Sequence, residues 1–155
     1  VDSYSWRPEQ GAKVLVLEKA DLDKRRVHEL PPFFAFHFGE AWEEADGAIR
    51  FTACVSKDPT FVRENGRALM QGNWVRDTPP GLAQIVLRPK GASELTRVGV
   101  DAEFPRSDER FVGRKRRFLA HATHAVDSVP MFRGLGATDL ETGRTRASDF
   151  GPGQL

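Results

Sequence analysis

One cysteine, one tyrosine and two methionines among 155 residues remove several architectures at the outset. The lone Cys54 can form neither an internal disulfide nor a thiolate zinc cluster, which excludes a disulfide scaffold and suits a reducing compartment. Charge of one sign is also lacking, since 23 Lys and Arg face 22 Asp and Glu for a formal net charge of +1. No sequence-wide field recruits nucleic acid or anionic lipid, so no nucleic-acid partner is expected. Long hydrophobic runs are missing as well: stretches such as Val14 to Leu17 are strand-sized, against the ~18 residues that a membrane-spanning helix requires. What remains is 39% hydrophobic and 29% charged, the composition of a globular chain about one domain long. The chain opens on Val1 and stops at Phe150-Gly-Pro-Gly-Gln-Leu155 as a loop begins, which reads as a piece of something larger.

The apolar residues come in short bursts. Ala12 to Glu18, Phe33 to Trp42 and Ala48 to Val55 are rich in aromatic and β-branched residues, and Ala45-Asp46-Gly47 supplies a turn between the last two. A second hairpin is expected from Leu82 to Leu87, Pro89-Lys90-Gly91 and Leu95 to Val100. A third runs from Phe132 to Asp139, through Glu141-Thr142-Gly143, to Arg144 to Asp149. Superposing the Gly91 and Gly143 turns separates these two hairpins by about 50 residues, the length of one four-stranded propeller blade or of a chance repeat in a meander. One helix is expected over Thr60 to Asn73, started by Asp58-Pro59 and ended by Gly72-Asn73, although Gly66 interrupts it. Asp77 to Gly81 and Ser107 to Arg117 read as loops, the latter with a basic run.

The four histidines differ in context. His28 lies in the charged stretch Asp21 to Leu30 and is expected to be solvated. His121 and His124 are three apart, which places them on opposite faces of the strand expected over Phe118 to Ala125 and argues against a paired metal site. His37 sits among Phe34, Phe36, Phe38 and Trp42, where it can be a hydrogen-bonded core histidine or a ligand presented from an aromatic wall. The aromatic residues on the face opposite His37 are expected to be sheet core. Cys54, inside a strand, reads as a small buried hydrophobe.

The segment Phe36-His37-Phe38-Gly39-Glu40-Ala41-Trp42-Glu43-Glu44 resembles the F-H-x-x-N-A-aromatic-E-E signature of the carotenoid cleavage oxygenases, the group of apocarotenoid-forming and lignostilbene-cleaving enzymes. Three more segments follow that family's order. Trp6-Arg7-Pro8-Glu9 with the strand after it resembles its W-x-P-E element. Asp101-Ala-Glu-Phe-Pro-Arg-Ser-Asp-Glu-Arg-Phe-Val-Gly-Arg114 resembles its E-F-P-R element. Phe132 to Gly153 resembles the hairpin that leads into D-F-G-P-G. The likeness spans nearly all of the chain, with Glu40 where the family usually has Asn and Ser107 where it usually has an aliphatic residue.

The resemblance implies an all-β fold: a seven-bladed β-propeller whose axis carries iron(II), Fe2+, held by four histidines from different blades. At the blade length above, such a propeller needs roughly 450 to 500 residues. Residues 1–155 would then be one partial domain of about two to two and a half blades, with a short helix in a connecting loop. His37 falls on one of the four iron ligands, and Glu103 on a carboxylate that hydrogen-bonds a ligating histidine. On its own, Glu103 could equally cap a strand end or pair with Arg106, and Arg106, Arg110 and Arg114 read as solvated structural charges. The implied reaction is oxidative cleavage of an alkene double bond in a carotenoid, apocarotenoid or stilbenoid, with a lipophilic substrate and dioxygen as partners and no acid or base of this segment acting on substrate. Two other outcomes remain for the parent protein: an inactive propeller that binds or scaffolds, and a retinoid-ester isomerohydrolase with the same ligand set. The chain is expected to be cytoplasmic, with peripheral membrane contact in the full-length protein as a route for lipophilic substrates.

Overall fold

The chain is described by a computed structural model covering residues 5–73, 80–106, 108–124 and 132–151. After a short 3-10 turn at Pro8–Gln10, strands β1 (Ala12–Glu18) and β2 (Asp21–Leu30) form an antiparallel hairpin. Next comes a four-stranded antiparallel sheet in the order β3 (Phe34–Glu43), β4 (Ile49–Ser56), β5 (Gly81–Leu87), β6 (Glu94–Asp101). The same meander repeats as β7 (Glu103–Arg106), β8 (Phe118–Thr123), β9 (Gly134–Asp139), β10 (Thr145–Asp149). These are two blades and a hairpin equal to half of one, as the resemblance implies. The 50-residue repeat is therefore genuine: β5–β6 and β9–β10 are the same hairpin in successive blades, each turning on a positive-φ glycine, Gly91 and Gly143.

Two apolar cores hold the blades. Leu30, Val55, Ile85 and Leu87 are buried between the first four-stranded sheet and the β1–β2 hairpin, whose Val14 and Val16 pack inward. Trp42, Cys54, Leu82, Ala102 and Leu119 are buried between the two four-stranded sheets. The first strand of each sheet faces its counterpart, β3 against β7, as the innermost strands of neighbouring propeller blades do around the axis. Ala102 alone separates β6 from β7, so the chain crosses from the outer edge of one blade to the inner edge of the next in a single residue.

Three expectations need correcting. The charged stretch Asp21 to Leu30 is a strand, and its pairing with β1 turns His28 and Leu30 inward while Asp23 to Val27 stay exposed. His28 is therefore buried, with Nδ1 3.2 Å from Ser93 Oγ, and burial followed by the nearby Arg26 charge lowers its pKa. Phe36 and Phe38 are not sheet core but more than half exposed. Strand β3 loses simple alternation at two bulges, between Ala35 and His37 and between Phe38 and Ala41; Glu40 and Trp42 take the inward places instead. The expected helix is shorter, a π-helical turn Phe61–Asn65 running into α1 (Gly66–Met70). Gly66 starts the α segment rather than breaking it. The expected stop holds, because Gly72 takes positive φ and Asn73 N–H donates back to Ala68 O at 2.8 Å.

Candidate functional site

The site is built where the two inner strands meet. The bulge that disturbs β3 at Phe36 lies immediately before His37, and a second bulge, between Glu103 and Arg106, follows Glu103 on β7. Bulges bend a strand and re-aim its side chains. The second is built on Phe104, whose φ of 50° is the one positive value at a non-glycine among the described residues. A bulky residue in that region stores strain of about 1–3 kcal/mol, which the surrounding packing must offset.

The consequence is a contact between blades: His37 Nδ1 lies 2.6 Å from Glu103 Oε2. The same oxygen accepts the Phe104 backbone N–H at 3.1 Å, so Glu103 is set as an acceptor for two donors. Glu103 is buried. Burial raises its carboxyl pKa, opposed by the hydrogen bonds from His37 and from Phe104. Of the rival roles for Glu103, the pairing with Arg106 is not made, since Arg106 is exposed, while the bond from Phe104 N–H caps the start of β7 alongside the contact with His37. With Nδ1 donating to the carboxylate, the tautomer of His37 leaves Nε2 as a lone-pair donor. Nε2 has no hydrogen-bond partner among the described residues, and the His37 side chain is 31% exposed. This is the arrangement that metal-binding histidines adopt.

Aromatic rings fix the imidazole from its sides. Phe104 lies 4.4 Å from it, centroid to centroid, and Phe36 meets it edge-on at 5.0 Å. Phe132 continues the row, edge-on to Phe104 and 4.1 Å from His124. His37, Glu103 and these phenylalanines border one cavity of about 290 Å³, closed on its far side by Phe61, Val62 and Leu69 of the helix.

The other histidines stand apart. His121 is buried with Nε2 2.9 Å from Thr138 Oγ1 and Nδ1 3.1 Å from Ala122 O, a structural histidine. Its ring fills the space over Gly136, where a Cβ would overlap it. His124, past the end of β8, places Nδ1 2.8 Å from Asp101 Oδ2. Thus two imidazole–carboxylate pairs flank the blade crossing, Asp101 and Glu103 one residue either side of Ala102. The sequence reading missed the Asp101 pair, because nothing local ties residue 101 to residue 124. Among the described residues no three His, Cys, Asp or Glu side chains are grouped to hold a metal, so His37 fits the role of one ligand and not of a whole site. Glu40, the departure from the family signature, is buried on the same inward row as Trp42. Ser107, the other departure, lies outside the described residues.

The model of the retinal pigment epithelial membrane protein family, RPE65, matches residues 1–155. The chain belongs to this family, the carotenoid oxygenases. Among its curated relatives, carotenoid 9,10(9′,10′)-cleavage dioxygenase 1 of Arabidopsis thaliana is 27% identical over 91% of this chain and 27% of its own length. The chloroplastic 9-cis-epoxycarotenoid dioxygenase NCED6 of the same plant is 26% identical over 95% of this chain and 25% of its own. A Crocus sativus carotenoid 9,10(9′,10′)-cleavage dioxygenase is 28% identical over 97% of this chain and 30% of its own. The chain therefore spans about a quarter to a third of the carotenoid oxygenases it matches. Solved structures agree on the fold. Cobalt-substituted Synechocystis apocarotenoid oxygenase superposes with a TM-score of 0.69 at 19% identity, covering 96% of this chain and 31% of that one. An apocarotenoid oxygenase/RPE65 chimera gives 0.67 at 17% identity with the same coverage. The two blades and the hairpin are thus part of the carotenoid-oxygenase seven-bladed propeller. No helix among the described residues is long and apolar enough to cross a membrane.

Proposed function

We propose that the protein carrying this segment is an iron(II)-dependent dioxygenase that splits an alkene double bond of a carotenoid, apocarotenoid or stilbenoid into two carbonyl products. The observation that carries this reading is the 2.6 Å contact of His37 Nδ1 with Glu103 Oε2, which leaves Nε2 open beside an aromatic cavity. His37 is one of the iron ligands, through Nε2. Glu103 acts through His37: its carboxylate holds the ring's tautomer and orientation and raises the basicity of the ligating nitrogen. One of the solved structures this chain resembles is a cobalt-substituted Synechocystis enzyme, which supports a metal in this reading. Bound iron(II) supplies the activation of dioxygen for alkene cleavage. The phenylalanines around His37 offer the alkene an apolar surface and keep bulk water away, and no acid or base of this segment transfers a proton to substrate. A lipophilic substrate and dioxygen are the partners, and peripheral membrane contact of the full-length protein is the route by which such a substrate arrives.

The test uses the full-length protein. His37→Ala is expected to abolish iron retention and cleavage, and Glu103→Gln to weaken iron affinity by about 10- to 100-fold. Elemental analysis measures the first effect. Iron titration of the metal-free protein measures the second, and product masses after incubation with a carotenoid, an apocarotenal and a hydroxystilbene under oxygen measure cleavage. Wild-type iron content and activity in His37→Ala would overturn the assignment.

A further inference from the structure

The cavity beside His37 is apolar except at three side chains. Two of them, His37 and Glu103, are engaged with each other. The third is Asn65, the last residue of the π-helical turn. It is 4% exposed, and neither its amide nitrogen nor its amide oxygen has a hydrogen-bond partner among the described residues.

Such a group is costly to keep. Asn is a poor choice inside a helix, and burying a carboxamide with two donors and an acceptor unmet forfeits its hydration without return. Apolar residues of similar volume, such as Leu, would fit this wall of Phe36, Phe61, Val62, Leu69, Phe104 and Phe132 at no such cost. The backbone at the same place is a π turn, a rare conformation that is frequent at functional sites. Geometry, burial and an orphaned amide coincide on a single residue of the cavity.

We infer that Asn65 is a specificity-determining contact, its carboxamide receiving a hydroxyl or carbonyl oxygen carried by an otherwise apolar alkene. The assignment rests on the oxygenase reading for the alkene and adds the oxygen substituent. The carboxamide can donate to either kind of oxygen and can accept from a hydroxyl. A cavity of about 290 Å³ lies at the small end of ligand pockets, so it takes one end of the substrate rather than a whole polyene. The oxygen substituent and His37 therefore border the same end of the substrate. A site built around a substrate oxygen discriminates strongly against the analogue without it, because the amide is then left unpaired.

The experiment measures equilibrium binding to the full-length protein under nitrogen, with two matched pairs: 4-hydroxystilbene against stilbene, and an apocarotenal against its hydrocarbon counterpart. Wild type is expected to prefer the oxygenated member of at least one pair by about tenfold. Asn65→Leu is expected to erase that preference by weakening the oxygenated ligand alone, and Asn65→Ala, as the second variant, to erase it too. The melting temperature of Asn65→Leu should equal or exceed that of wild type, since an unpaired buried amide has been removed. Equal affinity of wild type for both members of each pair, binding of neither, an equal loss for both in the variants, or a lowered melting temperature in Asn65→Leu would each overturn the inference. Binding under nitrogen needs no turnover, so an absence of cleavage by wild type under oxygen counts against the oxygenase reading and leaves the Asn65 readout standing.

Discussion

Cys54 pairs across the β3–β4 ladder with His37 and is almost completely buried. Burial pushes its thiol up to about 12, and the Glu103 and Asp101 carboxylates push in the same direction. The only sulfhydryl of the chain thus lies beside the site without being reactive. Folded protein at pH 8 is expected to resist alkylation by iodoacetamide and to react once denatured, followed by mass; prompt labelling in the folded state would contradict this packing. Gly39, two residues beyond His37, is required for space. A Cβ there would overlap Thr52 Oγ1 and press to 3.3 Å on Pro105 Cβ, between the sheets that bring His37 to Glu103. Gly39→Ala is expected to cost about 1–3 kcal/mol in urea unfolding, with iron affinity falling as β3 shifts against β7.

Among the elements, the β9–β10 hairpin shows how a turn signal becomes a brace. Asp139 Oδ1 accepts the Glu141 N–H at 3.0 Å and the Thr142 N–H at 3.4 Å, fixing the turn, while Oδ2 takes Arg117 Nη2 at 2.9 Å from the segment leading into β8. The Arg117 hydrogen bond comes first among the causes that hold the Asp139 carboxyl at about 2, below its ordinary 3.8. A depressed carboxyl pKa gives stability that is fully present above the unfolded value and lost as pH falls through the folded one. The pair is therefore expected to weaken between about pH 4 and pH 2. Asp139→Asn should remove that part of the acid dependence of the denaturation midpoint, and an unchanged slope in the variant would count against the brace. In the rest of the basic run Arg114 and Lys115 are exposed and Arg110 pairs with its neighbour Asp108, whereas Arg116 is half-buried and lays its guanidinium over the Phe111 ring at 4.1 Å.

For the whole molecule the telling surface is apolar and uncovered. Leu15 and Leu17 project from β1 on the side away from Val14 and Val16, and Phe36 and Phe38 stand out from β3. A strand apolar on both faces is one made to lie between two sheets, as propeller blades do. Purified residues 1–155 alone are expected to self-associate at micromolar concentration, seen as a mass in light scattering above 17.3 kDa. With His37 the one iron ligand proposed in this segment and no group of three His, Cys, Asp or Glu among the described residues, the same preparation should hold no stoichiometric iron. One tightly bound iron per chain by elemental analysis would contradict that.

Much of this protein was legible in residue order. Short β-rich bursts punctuated by Asp46-Gly47, Lys90-Gly91 and Thr142-Gly143 determined the hairpins, because turn chemistry and period-two patterning are local. The repeat of those hairpins and the four motifs determined the blades and singled out His37 and Glu103. Bulges were not legible, since they depend on how two strands pair and not on either strand alone, and they decided that Phe36 and Phe38 face outward. The same holds for β2, a charged segment that becomes a strand only because β1 supplies the partner. The 66-residue separation of His37 from Glu103 closes to 2.6 Å through the one-residue crossing at Ala102 and the positive φ of Phe104. Composition and motif chose the side chains; the packing of one blade against the next decided which of them meet, because a hydrogen bond between blades exists only once both inner strands have docked.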